Sequence, residues 1–187
     1  MAYAIIQPPF TLEFREMSRA ELKAYGEWFH RVLLDRVAEL AGAVKSAGGF
    51  EGWEPDRSVE SLDVLGRWFE GRVATRAKTE EELEEQRAAL VFPIDLPTVQ
   101  LTNETFSLAM DVGMYFACVV LETLPGTRWD QVPSGKRNAH YGHPVILGFG
   151  KVELDPVHVL VMTAYGVSRG KPAELRKLCD TWAKMRG

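Results

Sequence analysis

Apolar residues recur at spacings of three and four from Ser18 to Val44, where Leu22, Tyr25, Phe29, Val32, Leu33, Val37 and Leu40 share one stripe and Arg36 falls among them. Glu21, Lys23, Glu27, Arg31 and Asp35 occupy the opposite face. This pattern predicts a long amphipathic helix. Ser18 with Glu21 makes a capping box, Met17 supplies the apolar half of a staple, and Gly48-Gly49 stops the run. Ahead of it, Tyr3 to Ile6 and Thr11 to Phe14 are short extended candidates, limited to edge strands by Pro8-Pro9.

A second helix is predicted from near Ser58, with Leu62, Leu65, Phe69 and Val73 buried and Trp68 flanking the stripe. Thr79 and Glu82 form another capping box, and Glu80-Glu81-Glu82 complement the dipole of a third helix whose apolar stripe is sparse. Phe92-Pro93 and Leu96-Pro97 end it, because a residue before proline is pushed out of the α region, and Pro93 to Leu101 reads as a loop. The fourth helix, from Asn103 or Glu104 to Leu124, is the most apolar segment and the predicted core helix, with Phe106, Ala109, Met110, Gly113, Phe116, Ala117, Val120 and Leu124 on a broad stripe.

Arg128 to Val132 and Pro144 to Phe149 read as a hairpin-like pair around the polar Pro133 to Gly142 segment. Asp155-Pro156 reads as an N-cap and N1 proline opening a fifth helix, although Val157 to Val161 also fits a buried strand. Pro172 opens the last helix, with Leu175, Leu178, Cys179, Trp182 and Met185 on its stripe. The expected fold is α+β: a mostly helical single domain over residues 1–187, with about five to six helices and a small antiparallel sheet.

Composition adds exclusions. With 187 residues, 46% of them hydrophobic, and with 9 Phe, 5 Trp and 5 Tyr, the chain can bury a core without staples and is not intrinsically disordered. The first nine residues lack the layout of a secretory signal, and the longest apolar runs fall short of a bilayer span, so a cytoplasmic protein without a membrane partner is expected. Cys118 and Cys179 read as two buried thiols, with a disulfide between them left open.

The net charge of −4 conceals an uneven distribution. Residues 51–125 hold 15 acidic side chains against 6 basic ones, and residues 126–187 hold 5 against 10. An acidic face of this kind steers a basic protein toward it. The basic residues lack interleaved aromatics, which argues against a nucleic-acid partner.

Catalytic signatures are lacking. His140 and His143, with Asp155 or His158, are the one metal candidate, but an H-x-x-H pair in a Gly- and Pro-flanked loop defines no common ligand face, so neither metal nor cofactor is expected. Gly148-Phe149-Gly150-Lys151 has neither P-loop nor dinucleotide-binding spacing, and there is no G-x-S-x-G elbow. Asp111 is the most informative carboxylate, because a charge on so apolar a helix is costly unless it lies at the helix's solvent edge, hydrogen-bonds to the 133–143 loop or to an arginine such as Arg36, or faces a cleft where a partner or ligand meets it. Tyr115 lies one turn on and is expected to share a polar patch with it.

Several segments together resemble a known group. These are Phe14-Arg15-Glu16-Met17-Ser18 with Glu21 to Tyr25 and Trp28-Phe29, then Ser61-Leu62, Leu65-Gly66 and Trp68-Phe69. They continue through Leu101-Thr102, Ser107 to Ala109, Asp111 to Phe116, Trp129, Tyr141-Gly142, Pro144-Val145, Asp155-Pro156 and Trp182. The chain thereby resembles a widespread family of small bacterial proteins similar to the immunity proteins of polymorphic toxin systems. The resemblance implies a non-enzymatic protein that binds a cognate toxin domain and occludes its active site. Candidate partner-binding residues are Glu81, Glu82, Glu85, Asp111, Tyr115, Trp129, His140 and Tyr141. Two further readings stay open: a structural or regulatory interaction domain with another partner, a homodimer through an exposed apolar helix face being one form of it, and a small ligand-binding protein or enzyme using Asp111, Tyr115, His140 and Tyr141 around a pocket.

Overall fold

The computed structural model describes residues 3–92, 94–132 and 135–186. Among the described residues, six helices and two small antiparallel sheets make up an α+β, mostly helical architecture. The first helix, α1, spans Arg19–Lys45, and its capping box forms as the spacing predicts: Ser18 Oγ accepts from the Glu21 amide, and the Glu21 carboxylate accepts from the Ser18 amide. Helix α2, Ser61–Glu70, starts after Ser58, whose hydroxyl accepts from the Ser61 amide at 3.1 Å. Trp68 is itself buried, whereas Val73 lies past the end of the helix.

Strand β1, Thr75–Ala77, and strand β2, Val99–Leu101, pair antiparallel and bracket α3, Glu80–Ala88. The last residues of the expected 93–101 loop are thus a strand, held in register by Thr75 opposite Leu101. Helix α4, Asn103–Thr123, is capped by Thr102 and runs through the centre. Strands β3, Arg128–Gln131, and β4, Pro144–Phe149, form the expected antiparallel pair, and β5, Val152–Leu154, extends the sheet in the order β3-β4-β5. Helix α5, Pro156–Val167, confirms the helical reading of that segment, with Asp155 as its N-cap. Helix α6 spans Leu175–Lys184. It begins after Ala173 rather than at Pro172, because the Ala173 amide donates to Glu70 and its carbonyl packs against Gly66 of α2.

The N-terminal stretches expected as edge strands are not strands. Their backbone groups go to side chains instead: the Ala4 amide donates to Glu39, the Ile6 amide donates to Ser107, and the Ala4 carbonyl accepts from Arg36. Among the described residues, α4 is the one helix long and apolar enough to cross a membrane, and 78% of its most apolar window is buried inside the protein. It is the core helix of this fold. Phe106, expected on its buried stripe, is 37% exposed and meets Tyr165 edge-on at the surface. Helix α5 crosses α4 so closely that a Cβ on Gly113 would lie 2.9 Å from the Pro156 carbonyl oxygen.

Candidate functional site

The eight candidate residues do not converge. Asp111 is fully buried and bound on every side: Arg36 donates from Nε to Oδ1 at 2.9 Å and from Nη2 to Oδ2 at 2.7 Å, and the Tyr3 hydroxyl donates to Oδ2. Tyr3 also meets Ser107 Oγ at 2.7 Å. Burial and the neighbouring Asp111 charge raise the Tyr3 phenol above its ordinary value, which keeps it a donor. This network ties the N-terminal segment and α1 to α4. The pocket imagined around Asp111 is therefore corrected, since its carboxylate is consumed by pairing.

Tyr115 does not join it. Its ring packs edge-on against Trp53, its hydroxyl accepts from the Arg57 amide at 3.0 Å, and it meets Ser61 Oγ at 2.7 Å. The long phenol carries the hydroxyl to the start of α2, so one turn of shared helix does not make a shared patch. Trp129 packs against Phe29 and His30 with centroids 5.6 and 5.1 Å away, and Tyr141 is buried in the same cluster. Both are packing residues.

Three of the four histidines gather around Asp155. His143 Nδ1 donates to Oδ2 at 2.6 Å, His140 Nδ1 approaches the same oxygen at 3.4 Å, and Oδ1 accepts from the His158 amide at 2.9 Å. The His158 ring lies 5.9 Å from that of His140. Burial works to raise the Asp155 carboxyl, but the two imidazole hydrogen bonds, the His143 charge and the His158 amide outweigh it and hold it far below the usual carboxylate range. The Asp155 hydrogen bond raises His140. Among the described residues, no group of three His, Cys, Asp or Glu side chains is arranged to hold a metal. Because both Nδ1 atoms are turned to Asp155, the histidines serve first as struts that fix the 138–143 loop on the N-terminus of α5. A hollow of about 300 Å³ lies beside them, lined by Phe14, Arg15, Tyr141 and His143 among others.

The remaining candidates lie on α3. Glu82 is structural: it accepts from the Thr79 amide, pairs with Arg76 at 2.5 Å and accepts from Gln100. The Arg76 hydrogen bonds bring its pKa down to about 2. Glu81 and Glu85 are exposed and have no ion-pair partner among the described residues. Glu84 and Glu85 follow Glu81 at spacings of three and four, so each neighbours it on the helix surface, and Glu84 is exposed as well. Only Leu83 of this helix is buried.

Sequence reading missed the apolar segment after α3. Val91, Phe92 and Ile94 are 86%, 74% and 62% exposed. The signal for it was an apolar run outside any periodic stripe. Val99 and Met162 are half exposed, on β2 and α5. Cys118 and Cys179 are free thiols whose pKa burial raises, and Cys118 is only partly buried. Comparisons with protein families, with curated proteins and with solved structures find no match to this chain.

Proposed function

We propose that this protein is a binding protein without catalysis, whose partner is a basic protein domain met by α3 and the residues after it. The observation that supports this most is the pairing of an uncompensated acidic stripe, Glu81, Glu84 and Glu85, with three strongly exposed apolar side chains, Val91, Phe92 and Ile94. Interfaces concentrate energy in apolar anchors and use rim charge for steering and register. A stable lone protein gains nothing from exposing such anchors. Given the resemblance to immunity proteins, the partner we propose is a toxin domain, neutralised by occlusion of its active site.

The test is co-expression with the product of the neighbouring gene, followed by binding kinetics. The neighbour is expected to stop growth alone and to be harmless with this protein bound. Reversing Glu81, Glu84 and Glu85 to Lys is expected to slow association roughly tenfold at low salt and much less at high salt. Phe92→Ser is expected to speed dissociation. A harmless, non-binding neighbour removes the toxin; unchanged kinetics in both variants remove α3 from the interface.

A second reading takes the hollow beside His143 as a small-ligand site. It is favoured by the place of His143 on the wall of that hollow, with Nδ1 held by Asp155. A small molecule that raises the melting temperature of the wild type and not of His143→Gln, with the fold intact, would support it, and no such molecule in a ligand screen would count against it.

A further inference from the structure

We infer that a second copy of this chain covers the acidic arm, α3 with the apolar Val91, Phe92 and Ile94 after it, when no other partner is bound, through a two-fold symmetric patch centred on Val99 and Met162. The inference deepens the proposed function, because the carboxylates assigned there to a basic partner are the ones a second copy would cover.

The order of elements across this surface is set by shared residues. Helix α3 lies against the β1–β2 ribbon through Glu82 with Arg76 and Gln100, and Lys78 donates to Gln86. Next comes the junction of the ribbon with α5, where Val99, Gln100, Met162, Tyr165 and Arg169 line one hollow of about 360 Å³. Met162 and Arg169 also line the adjacent groove between α5 and α6, of about 540 Å³, which continues to Lys171 and Lys177. Ribbon and α3, ribbon and α5, and α5 and α6 are therefore successive neighbours, and we take them in that order across one surface.

Chemistry changes in the same order. On one flank are Glu81, Glu84 and Glu85, without ion-pair partners among the described residues. At the centre are Val99 and Met162, 50% and 52% exposed, with Phe106 against Tyr165 at the margin. On the other flank Arg169 and Lys171 are exposed and have no carboxylate partner among the described residues, and Lys177 pairs with Glu174, the N-cap of α6, which lines the same groove. The groove between these cations has an apolar floor of Val159, Met162, Leu175 and Leu178.

A patch with an apolar centre, acid on one side and base on the other is complementary to itself. A two-fold axis through the centre places the acid of each copy on the base of the other, so both contacts form at once and the assembly closes as a dimer. The same operation brings Val91, Phe92 and Ile94, which come after α3, toward the partner's apolar groove. Two unexplained features, an exposed apolar segment with acidic flanks and an open apolar groove with basic walls, become halves of one contact. Self-association then competes with a basic partner for the arm.

Equilibrium sedimentation over a concentration series at low and high salt tests this. The wild-type chain is expected to form a discrete dimer that weakens as salt rises. Met162→Glu is expected to yield a monomer with an unchanged circular dichroism spectrum. The decisive arm uses two charge-reversed chains, one with Glu81, Glu84 and Glu85 changed to Lys and one with Arg169, Lys171 and Lys177 changed to Glu. Each alone is expected to dimerise at least about tenfold more weakly, and their mixture is expected to recover wild-type affinity, because each acid then meets a base at both contacts. A monomer at every concentration overturns the inference, as does a dimer insensitive to these changes or a mixture that recovers nothing. A failed dimer leaves the binding of a basic partner standing, since the neighbour assay measures that separately.

Discussion

Arg36 on α1 and Asp111 on α4 face each other with two hydrogen bonds, at 2.9 and 2.7 Å, in a setting where the aspartate side chain is wholly buried and the arginine is 13% exposed. The aspartate has no water to fall back on, and the arginine has little. Asp111→Ala is therefore expected to cost roughly 3–5 kcal/mol, because it leaves the guanidinium and the Tyr3 hydroxyl without their acceptor. The double change Arg36→Met with Asp111→Leu removes both charges and is expected to recover most of that loss. Urea unfolding of the single and double variants measures it. An additive double loss would show that the pair contributes nothing beyond its parts.

Asp155 and His140 predict a stability profile with two slopes. A raised folded-state His140 pKa means that its contribution is complete below the unfolded value of 6.5 and is lost as pH climbs through the folded value. The depressed Asp155 carboxyl contributes fully above its ordinary 3.8 and loses that contribution as pH falls through its folded value. His143, His158, Glu153 and Tyr25 surround these groups and are the same in wild type and variant. Unfolding free energies of wild type and His140→Asn between about pH 5 and pH 8 are thus expected to differ most at the acid end and to converge toward the alkaline end. A constant difference across that range would show that His140 acts only by packing.

Two glycines in helices should respond oppositely to alanine. A Cβ at the exposed Gly42 of α1 meets nothing within 4 Å, so Gly42→Ala is expected to stabilise by about 0.5–1 kcal/mol through helix propensity. At Gly66 of α2 the same atom would lie 2.3 Å from the Ala173 carbonyl oxygen. That is rigid backbone, so Gly66→Ala is expected to destabilise by about 1–2 kcal/mol after the propensity gain. Thermal melts of both variants decide it, and equal signs would refute the close approach of α2 to the 173 segment.

These sites also mark how far the sequence was legible. Capping chemistry at Ser18 with Glu21, Thr79 with Glu82 and Asp155 with Pro156 is local, and all three helix starts lie where the residues place them. The pairing of Asp111 was legible in part: a charge on an apolar helix needs a partner, but Arg36 was one of several that the sequence allowed, and which one meets Asp111 depends on how α1 packs on α4. The three-residue strands β1 and β2 were not, since strands this short carry no period and exist only by pairing, Thr75 with Leu101, across the whole of α3. Nor was the gathering of His140, His143 and His158 on Asp155, which depends on how a loop folds back on α5. The direction of Tyr115 away from Asp111 depends on side-chain length, which face counting ignores.

Tyr115 offers the last prediction, and it separates buried polar chemistry from exposed apolar surface. Its hydroxyl accepts the Arg57 amide and meets Ser61 Oγ, and Arg57 holds a left-handed backbone with φ 61°, a conformation that costs a non-glycine residue roughly 1–2 kcal/mol. Removing the hydroxyl takes away the acceptor that holds this turn, while the ring and its contact with Trp53 persist. Tyr115→Phe is expected to destabilise by about 1–2 kcal/mol. Arg57→Gly in the Tyr115→Phe background is expected to regain part of that, because glycine adopts the turn without strain. Phe92→Ser, at a side chain 74% exposed, is expected to stay within about 0.5 kcal/mol of wild type. Chemical denaturation of the four proteins reads all three numbers. A large loss in Phe92→Ser would mean that the residue is covered within the free chain, and would withdraw it from the interface on which the proposed function rests.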